Sequence, residues 1–278
     1  MNQNKFFKKH IPLGLSINDK SDWSKAREEY KTRFANRVGN FQVELFKIFG
    51  YDLIGENTKS ITSDYMNIYA YPEELDYDDV APKPANYFRI DAFLRTESQP
   101  FEFPEEFRKK IQPNDKLVYI SLGSMGSINV SLMKRIVGAL KDTPHKYIVS
   151  KGAKHEEYDL PDNMYGEKFL PQTNVLPLVD LVITHGGNNT VTESFGLGKP
   201  MIVMPLFGDQ IDNAARIMDK KFGIRIQPSS FQPEELVDAV NKLLFDEELK
   251  QRLEQVKVRV QKSNSKMKAC EMIESLVK

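Results

Sequence analysis

The chain has 278 residues, in which 39 Lys and Arg balance 39 Asp and Glu, with 40% hydrophobic residues and a single cysteine. That length holds one large domain or two modest ones, and the charge balance excludes a net basic field for gathering nucleic acid or anionic lipid. Cys270 cannot form an internal disulfide, four histidines and one thiol make a poor zinc set, and the longest apolar stretch, residues 201–207, falls far short of the roughly 20 residues of a transmembrane span. The first residues carry no apolar run after their charges, so no signal peptide is expected and the chain reads as cytoplasmic.

In chain order, residues 22–49 predict a helix. Trp23, Ala26, Tyr30, Phe34, Val38, Phe41, Leu45 and Phe49 recur at helical steps, and Gly50 ends them. Residues 66–71 read as a strand that Pro72 stops, and residues 87–90 as a second. Between 96 and 114 periodicity is lost while Pro100, Pro104 and Pro113 gather among charges, which is linker composition. Short apolar runs then alternate with helical ones. Strands are predicted at 117–121, 146–150, 165–170, 181–184, 201–204 and 223–226, with helices at 130–140, 189–196, 210–220 and 233–245 between them. That alternation implies an α/β fold with a parallel sheet covered on both faces. The tail, 246–278, reads as two charged amphipathic helices packing across a domain boundary, with Val256, Val258 and Val260 interrupting the period.

The chemistry concentrates in residues 168–215. The strand at 181–184 runs into His185-Gly186-Gly187, and a helix follows at once. Two glycines let the backbone turn sharply and approach a ligand closely. Asn189 and Thr190 then place side-chain hydrogen-bond donors at a helix start that already favours negative charge, which makes a phosphate cradle. Glu193 follows one turn later, where a ribose diol could sit. Asp209-Gln210 and Gly123-Ser124 lie in loops at the same sheet edge. Each feature alone is ordinary, a tight turn or a solvated helix residue; together on one edge they point to a nucleotide.

Phe169-x-Pro171-Gln172, then His185-Gly-Gly-x-Asn189-Thr190-x-x-Glu193, Gly198-x-Pro200, Pro205-x-x-x-Asp209-Gln210 and Asn213-Ala214 resemble the donor-binding signature of UDP-glycosyltransferases. The spacing from Gln172 to His185 is similar to that of the macrolide-glycosyltransferase type. The likeness covers residues 117–245, and more loosely 15–77. It implies a GT-B fold, with a complete carboxyl-terminal Rossmann-like domain holding a UDP-sugar and a partial amino-terminal domain on the acceptor side. The implied division is 1–95 for the partial domain, 96–114 for the linker, 115–245 for the UDP-sugar domain and 246–278 for the terminal helices.

By position, the resemblance implies that Phe169 stacks on uracil, where tryptophan is usual, and that Gln172 meets the nucleoside. His185, Gly187, Asn189 and Thr190 would hold the diphosphate and Ser124 would touch it from the opposite loop. Glu193 would bind the ribose, and Asp209 with Gln210 the sugar. The implied reaction transfers a hexose with inversion to a small, lipophilic, hydroxylated acceptor, with no cofactor and no metal. Asp76-Tyr77-Asp78 spells the Asp-x-Asp of metal-dependent glycosyltransferases but lies away from the cradle and reads as structural. The family's base is a histidine in the first amino-terminal loop with an aspartate partner. His10 is a poor match for it, so the chain is expected to be amino-terminally truncated. An alternative stays open, a nucleotide-sugar-binding subunit whose missing amino-terminal domain comes from a partner chain.

Overall fold

The computed structural model describes residues 14–26, 28, 48, 63–91 and 100–277. His10 and most of the helix expected over 22–49 lie outside the described residues, although residues 23–26 are helical. The described residues fall into two compact units. The first holds 14–26, 28, 48, 63–69, 77–90 and 264–277; the second holds 70–76, 91 and 100–263.

β1 (Asn67–Ala70) and β2 (Tyr87–Ile90), which belong to the first unit except for Ala70, form a two-stranded sheet. Trp23 and Tyr77 are buried together against Leu15, Ile17 and Val80, and the Trp23 indole N–H donates to the Ser16 carbonyl at 3.1 Å.

The second unit is built on six parallel strands: β3 (Leu117–Ser121), β4 (Lys146–Ser150), β5 (Met164–Glu167), β6 (Leu181–Thr184), β7 (Met201–Val203) and β8 (Gly223–Arg225). Their order across the sheet is β5-β4-β3-β6-β7-β8. The runs of Val, Ile and Leu that define β3, β6 and β7 are almost wholly buried, as strands covered on both faces must be. The chain first moves outward from β3 through β4 to β5, then returns to β3's other side and proceeds to β8. The order therefore reverses between β3 and β6, and a crevice opens where their carboxyl ends diverge. Ser121 and Thr184, the last residues of these strands, are register partners at its floor.

Over residues 100–277 the α-helices in chain order are α1 (Glu105–Arg108), α2 (Gly123–Gly126), α3 (Val130–Leu140), α4 (Gln172–Val175), α5 (Asn188–Gly196), α6 (Asp209–Asp219), α7 (Pro233–Leu244), α8 (Glu247–Gln261) and α9 (Ser265–Val277). α3 starts where the Asn129 side chain accepts from the Leu132 N–H; it buries Leu132, Met133, Ile136, Val137 and Leu140 and packs on α7. α8 is capped likewise by Asp246 and packs on α5. Leu249, Leu253, Val256 and Val260 form its buried stripe while Val258 is exposed. The valines that break the alternation on paper thus keep the helical period in space.

The division into units cuts across the expected segments in three places. The proline-rich stretch placed between domains is part of the second unit over residues 100–114. Its aromatics are the reason: Phe101, Phe103 and Phe107 stack in sequence onto Tyr165 of edge strand β5, the last pair at 5.6 Å. Ala70–Asp76 also belongs to the second unit rather than the first. There the Arg259 guanidinium of α8 grips Glu74 with two N–H groups and Asp91 with a third, and the Ser263 hydroxyl donates to Asp91 at 2.6 Å. The tail itself divides, α8 to the second unit and α9 to the first. No helix among the described residues is long and apolar enough to cross a membrane.

Candidate functional site

The reversal point between β3 and β6 carries the loop His185-Gly186-Gly187. Gly186 has φ +88°, a region that disfavours side chains, and a Cβ there would stand 2.6 Å from Val203 and 3.2 Å from the Gln210 carbonyl. The His185 ring fills a slot between two other glycines. A Cβ on Gly123 would come within 2.7 Å of the imidazole, and one on Gly187 within 2.6 Å. Glycine at both places is what lets the loops after β3 and β6 close on this ring. The same β3 loop reaches further, since a Cβ on Gly126 would meet Leu206 in the loop after β7 at 2.8 Å.

His185 Nδ1 lies 3.3 Å from the Thr184 hydroxyl, whose oxygen also accepts from the Gly186 N–H. Burial holds the imidazole below its usual pKa, against the opposing pull of the Asp209 carboxylate and a backbone hydrogen bond at Ser121. A neutral imidazole can offer one N–H to a ligand anion. α5 begins directly after the loop, and no side chain caps it, so its first-turn N–H groups supply the electrostatics of a helix start. Asn189 is exposed there, whereas Thr190 is buried.

One turn on, Glu193 is fully buried. Gln172, the first residue of α4, donates its amide to Glu193 Oε2 at 2.6 Å and to the Thr190 hydroxyl at 3.3 Å. The three predicted residues Gln172, Thr190 and Glu193 therefore form one cluster, because positions 190 and 193 share a helix face. Phe169 precedes them, 63% exposed, and the Lys168 ammonium sits 5.9 Å from its ring centroid.

On the β7 side, Gly208 has φ +61° with open space around it, and Asp209 begins α6 exposed. Gln210 is buried, and its side-chain oxygen accepts from the Leu206 and Phe207 N–H groups at 2.9 and 3.1 Å. Half of its amide thus shapes the loop itself. Ser124 is exposed on α2.

Two further residues join the site: Asn213, which the signature contained without an assigned role, and Tyr71. Asn213, one turn after Asp209 on α6, donates to the Gly186 carbonyl at 2.8 Å and approaches Asp209 Oδ2 at 3.5 Å. The Asn213-Ala214 element of the signature was its signal in the sequence. Tyr71, whose hydroxyl donates to Asn213 at 2.9 Å, had none. The two carboxylates of the Asp-x-Asp each have a cation: Asp76 meets Arg216 at 3.4 Å, and Asp78 meets Lys83 at 3.0 Å.

Comparisons with known proteins bear on this geometry. Residues 79–260 match the family model described as UDP-glucoronosyl and UDP-glucosyl transferase. A sterol 3-beta-glucosyltransferase of Vanderwaltozyma polyspora is 29% identical over 209 residues, covering 70% of this chain and 16% of that protein. UDP-glucuronosyltransferase 3A1 of Bos taurus is 32% identical over 53% of this chain and 30% of its own length. The chain therefore spans less than a third of either relative. Among solved structures, the glycosyltransferase of kitacinnamycin superposes with a TM-score of 0.75 at 19% identity, covering 95% of this chain and 67% of that one. Glycosyltransferase VinC, solved with dTDP, gives 0.61 at 18% identity, over 91% and 64% respectively. The α/β fold with its Rossmann-like parallel sheet is thus that of GT-B glycosyltransferases. By the family model that covers most of it, and by these relatives, the chain belongs to the UDP-glucuronosyl and UDP-glucosyl transferase family.

Proposed function

We propose that the second unit binds a UDP-sugar across the carboxyl ends of β3 and β6, and that the protein transfers the hexose with inversion to a small, lipophilic, hydroxylated acceptor. The observation that carries this reading is His185 held between Gly123 and Gly187 at the mouth of an uncapped helix, one turn from the buried Gln172–Glu193 pair. The helix start, His185, Gly187, Asn189 and Thr190 supply N–H and hydroxyl groups to the diphosphate, with Ser124 opposite. Glu193, fixed by Gln172, is a preorganised acceptor for ribose hydroxyls, and the exposed Phe169 ring offers a stacking face to uracil. Asp209 takes sugar hydroxyls, as does the Gln210 amide nitrogen.

In an inverting displacement, an acceptor hydroxyl attacks the anomeric carbon from the face opposite the leaving UDP, losing its proton to a base. The negative charge that builds on the departing diphosphate is met by these fixed dipoles, an arrangement that calls on no metal. The name of the yeast relative supports a sterol-like acceptor. An exposed free Cys270 fits a reducing, cytoplasmic setting.

The test is to offer the purified protein UDP-glucose with a sterol or a phenol and to read the anomeric configuration of any product by NMR. The expected product is a β-glucoside. An α-glucoside would overturn inversion, and UDP binding without transfer would favour a binding subunit that needs a partner chain.

A further inference from the structure

Ala70–Asp76 belongs to the second unit although its sequence neighbours on both sides belong to the first. Its Tyr71 is only 8% exposed, and the hydroxyl donates to Asn213 Oδ1 at 2.9 Å. Asn213, 4% exposed, passes the contact on: its Nδ2 donates to the Gly186 carbonyl at 2.8 Å. A second tie runs from Asn188 Nδ2 to the Ala70 carbonyl at 3.3 Å. Arg216 lies over the Tyr71 ring at 4.9 Å, with one guanidinium N–H on the Leu75 carbonyl.

A carboxamide can turn over, exchanging its oxygen and nitrogen at little cost unless its partners forbid it. Here the two partners together forbid it. The Gly186 carbonyl can only accept, so it demands the amide N–H. Burial pushes the Tyr71 pKa up, so the hydroxyl keeps its proton and donates it to the amide oxygen. Asn213 must therefore present Oδ1 to Tyr71 and Nδ2 to Gly186. The Gly186 carbonyl and the Gly187 N–H belong to one planar peptide and point in opposite directions. Holding the carbonyl thus fixes the aim of the N–H, at a residue whose φ of +88° leaves the backbone few steric restraints of its own.

We propose that Tyr71 and Asn213 are positioning residues for the diphosphate of the nucleotide: the phenol anchors the amide by its oxygen, and the amide locks the Gly186–Gly187 peptide in its ligand-binding orientation. This rests on the nucleotide-binding reading above.

The test is a double-mutant cycle on UDP affinity by calorimetry, with thermal melting followed in parallel. Tyr71→Phe, which removes only the hydroxyl, is expected to weaken UDP binding about 3- to 10-fold, and Asn213→Ala at least as much. Because the hydroxyl acts through Asn213, Tyr71→Phe in the Asn213→Ala background is expected to cost less than 2-fold more. Val137→Ala, a buried position on α3, is the control: it lowers the melting temperature and leaves UDP affinity unchanged. A Tyr71→Phe protein that binds UDP within 2-fold of the wild type overturns the inference, as does full additivity in the cycle. So does a Val137→Ala protein as impaired in binding as Tyr71→Phe. If Tyr71→Phe does not fold, Asn213→Ala decides, and affinity within 2-fold of the wild type overturns it. A wild-type protein that binds no UDP overturns the nucleotide-binding reading, and this inference with it. Wild-type binding with an unaffected Tyr71→Phe overturns the inference alone.

Discussion

At the scale of single residues, the site is defined by what its neighbours leave out. His185 occupies a slot that exists because Gly123 and Gly187 have no Cβ. Burial there disfavours the imidazolium, and the nearby Asp209 carboxylate only partly offsets this. A histidine whose folded pKa lies below its ordinary value of about 6.5 binds fewer protons folded than unfolded in that range. Its contribution to stability is therefore intact above about pH 6.5 and is lost as pH falls through the folded value. Urea unfolding of the wild type and of His185→Gln at pH 8, 7, 6 and 5 checks this. The wild type is expected to lose more stability than the variant on acidification, and parallel curves would contradict the burial argument. Glu193 shows a different device. It is fully buried beside the neutral Gln172 amide, so the carboxylate is held by hydrogen bonding in a fixed place.

At the scale of elements, three loops converge: that after β3 touches His185 through Gly123 and Leu206 through Gly126. Gly123 also sits at φ +66°, so Gly123→Ala combines backbone strain of about 1–2 kcal/mol with a collision against the imidazole. A lower melting temperature and UDP binding weakened about 10-fold are expected, read by thermal melting and calorimetry. Unchanged binding would mean that the β3 loop does not set the position of His185.

Much of this level was legible in the sequence. The β3, β4 and β6 runs coincide with the predicted strands because buried parallel strands are written as short apolar blocks. The Gly-Gly turn and the Gln172–Thr190–Glu193 set were legible because their spacing is local or carried by a family pattern. Three features were not. Tyr71 acts on Gly186 through Asn213, 142 positions away in sequence, and no local pattern encodes such a contact. Gln210 looked like a pure ligand residue, yet its oxygen caps its own loop. The aromatics of residues 100–114 were not legible as packing residues because the partner of Phe107, Tyr165, lies on β5, well beyond any local pattern.

At the scale of the molecule, a sheet of order β5-β4-β3-β6-β7-β8 reverses its direction of growth between β3 and β6, and there His185 sits against Gly123 and Gly187. The second unit carries this geometry itself, including Ala70–Asp76, which Arg216 and Arg259 secure to α6 and α8. The central claim is that the crevice at this reversal binds the nucleotide of a UDP-sugar. Its most direct test is calorimetric titration of UDP into the wild type, His185→Ala and Glu193→Ala, each checked for folding by circular dichroism. The account predicts saturable binding to the wild type and a loss of about 10-fold or more in each variant, roughly 1.4 kcal/mol of binding free energy. Equal UDP affinity in all three proteins would contradict it.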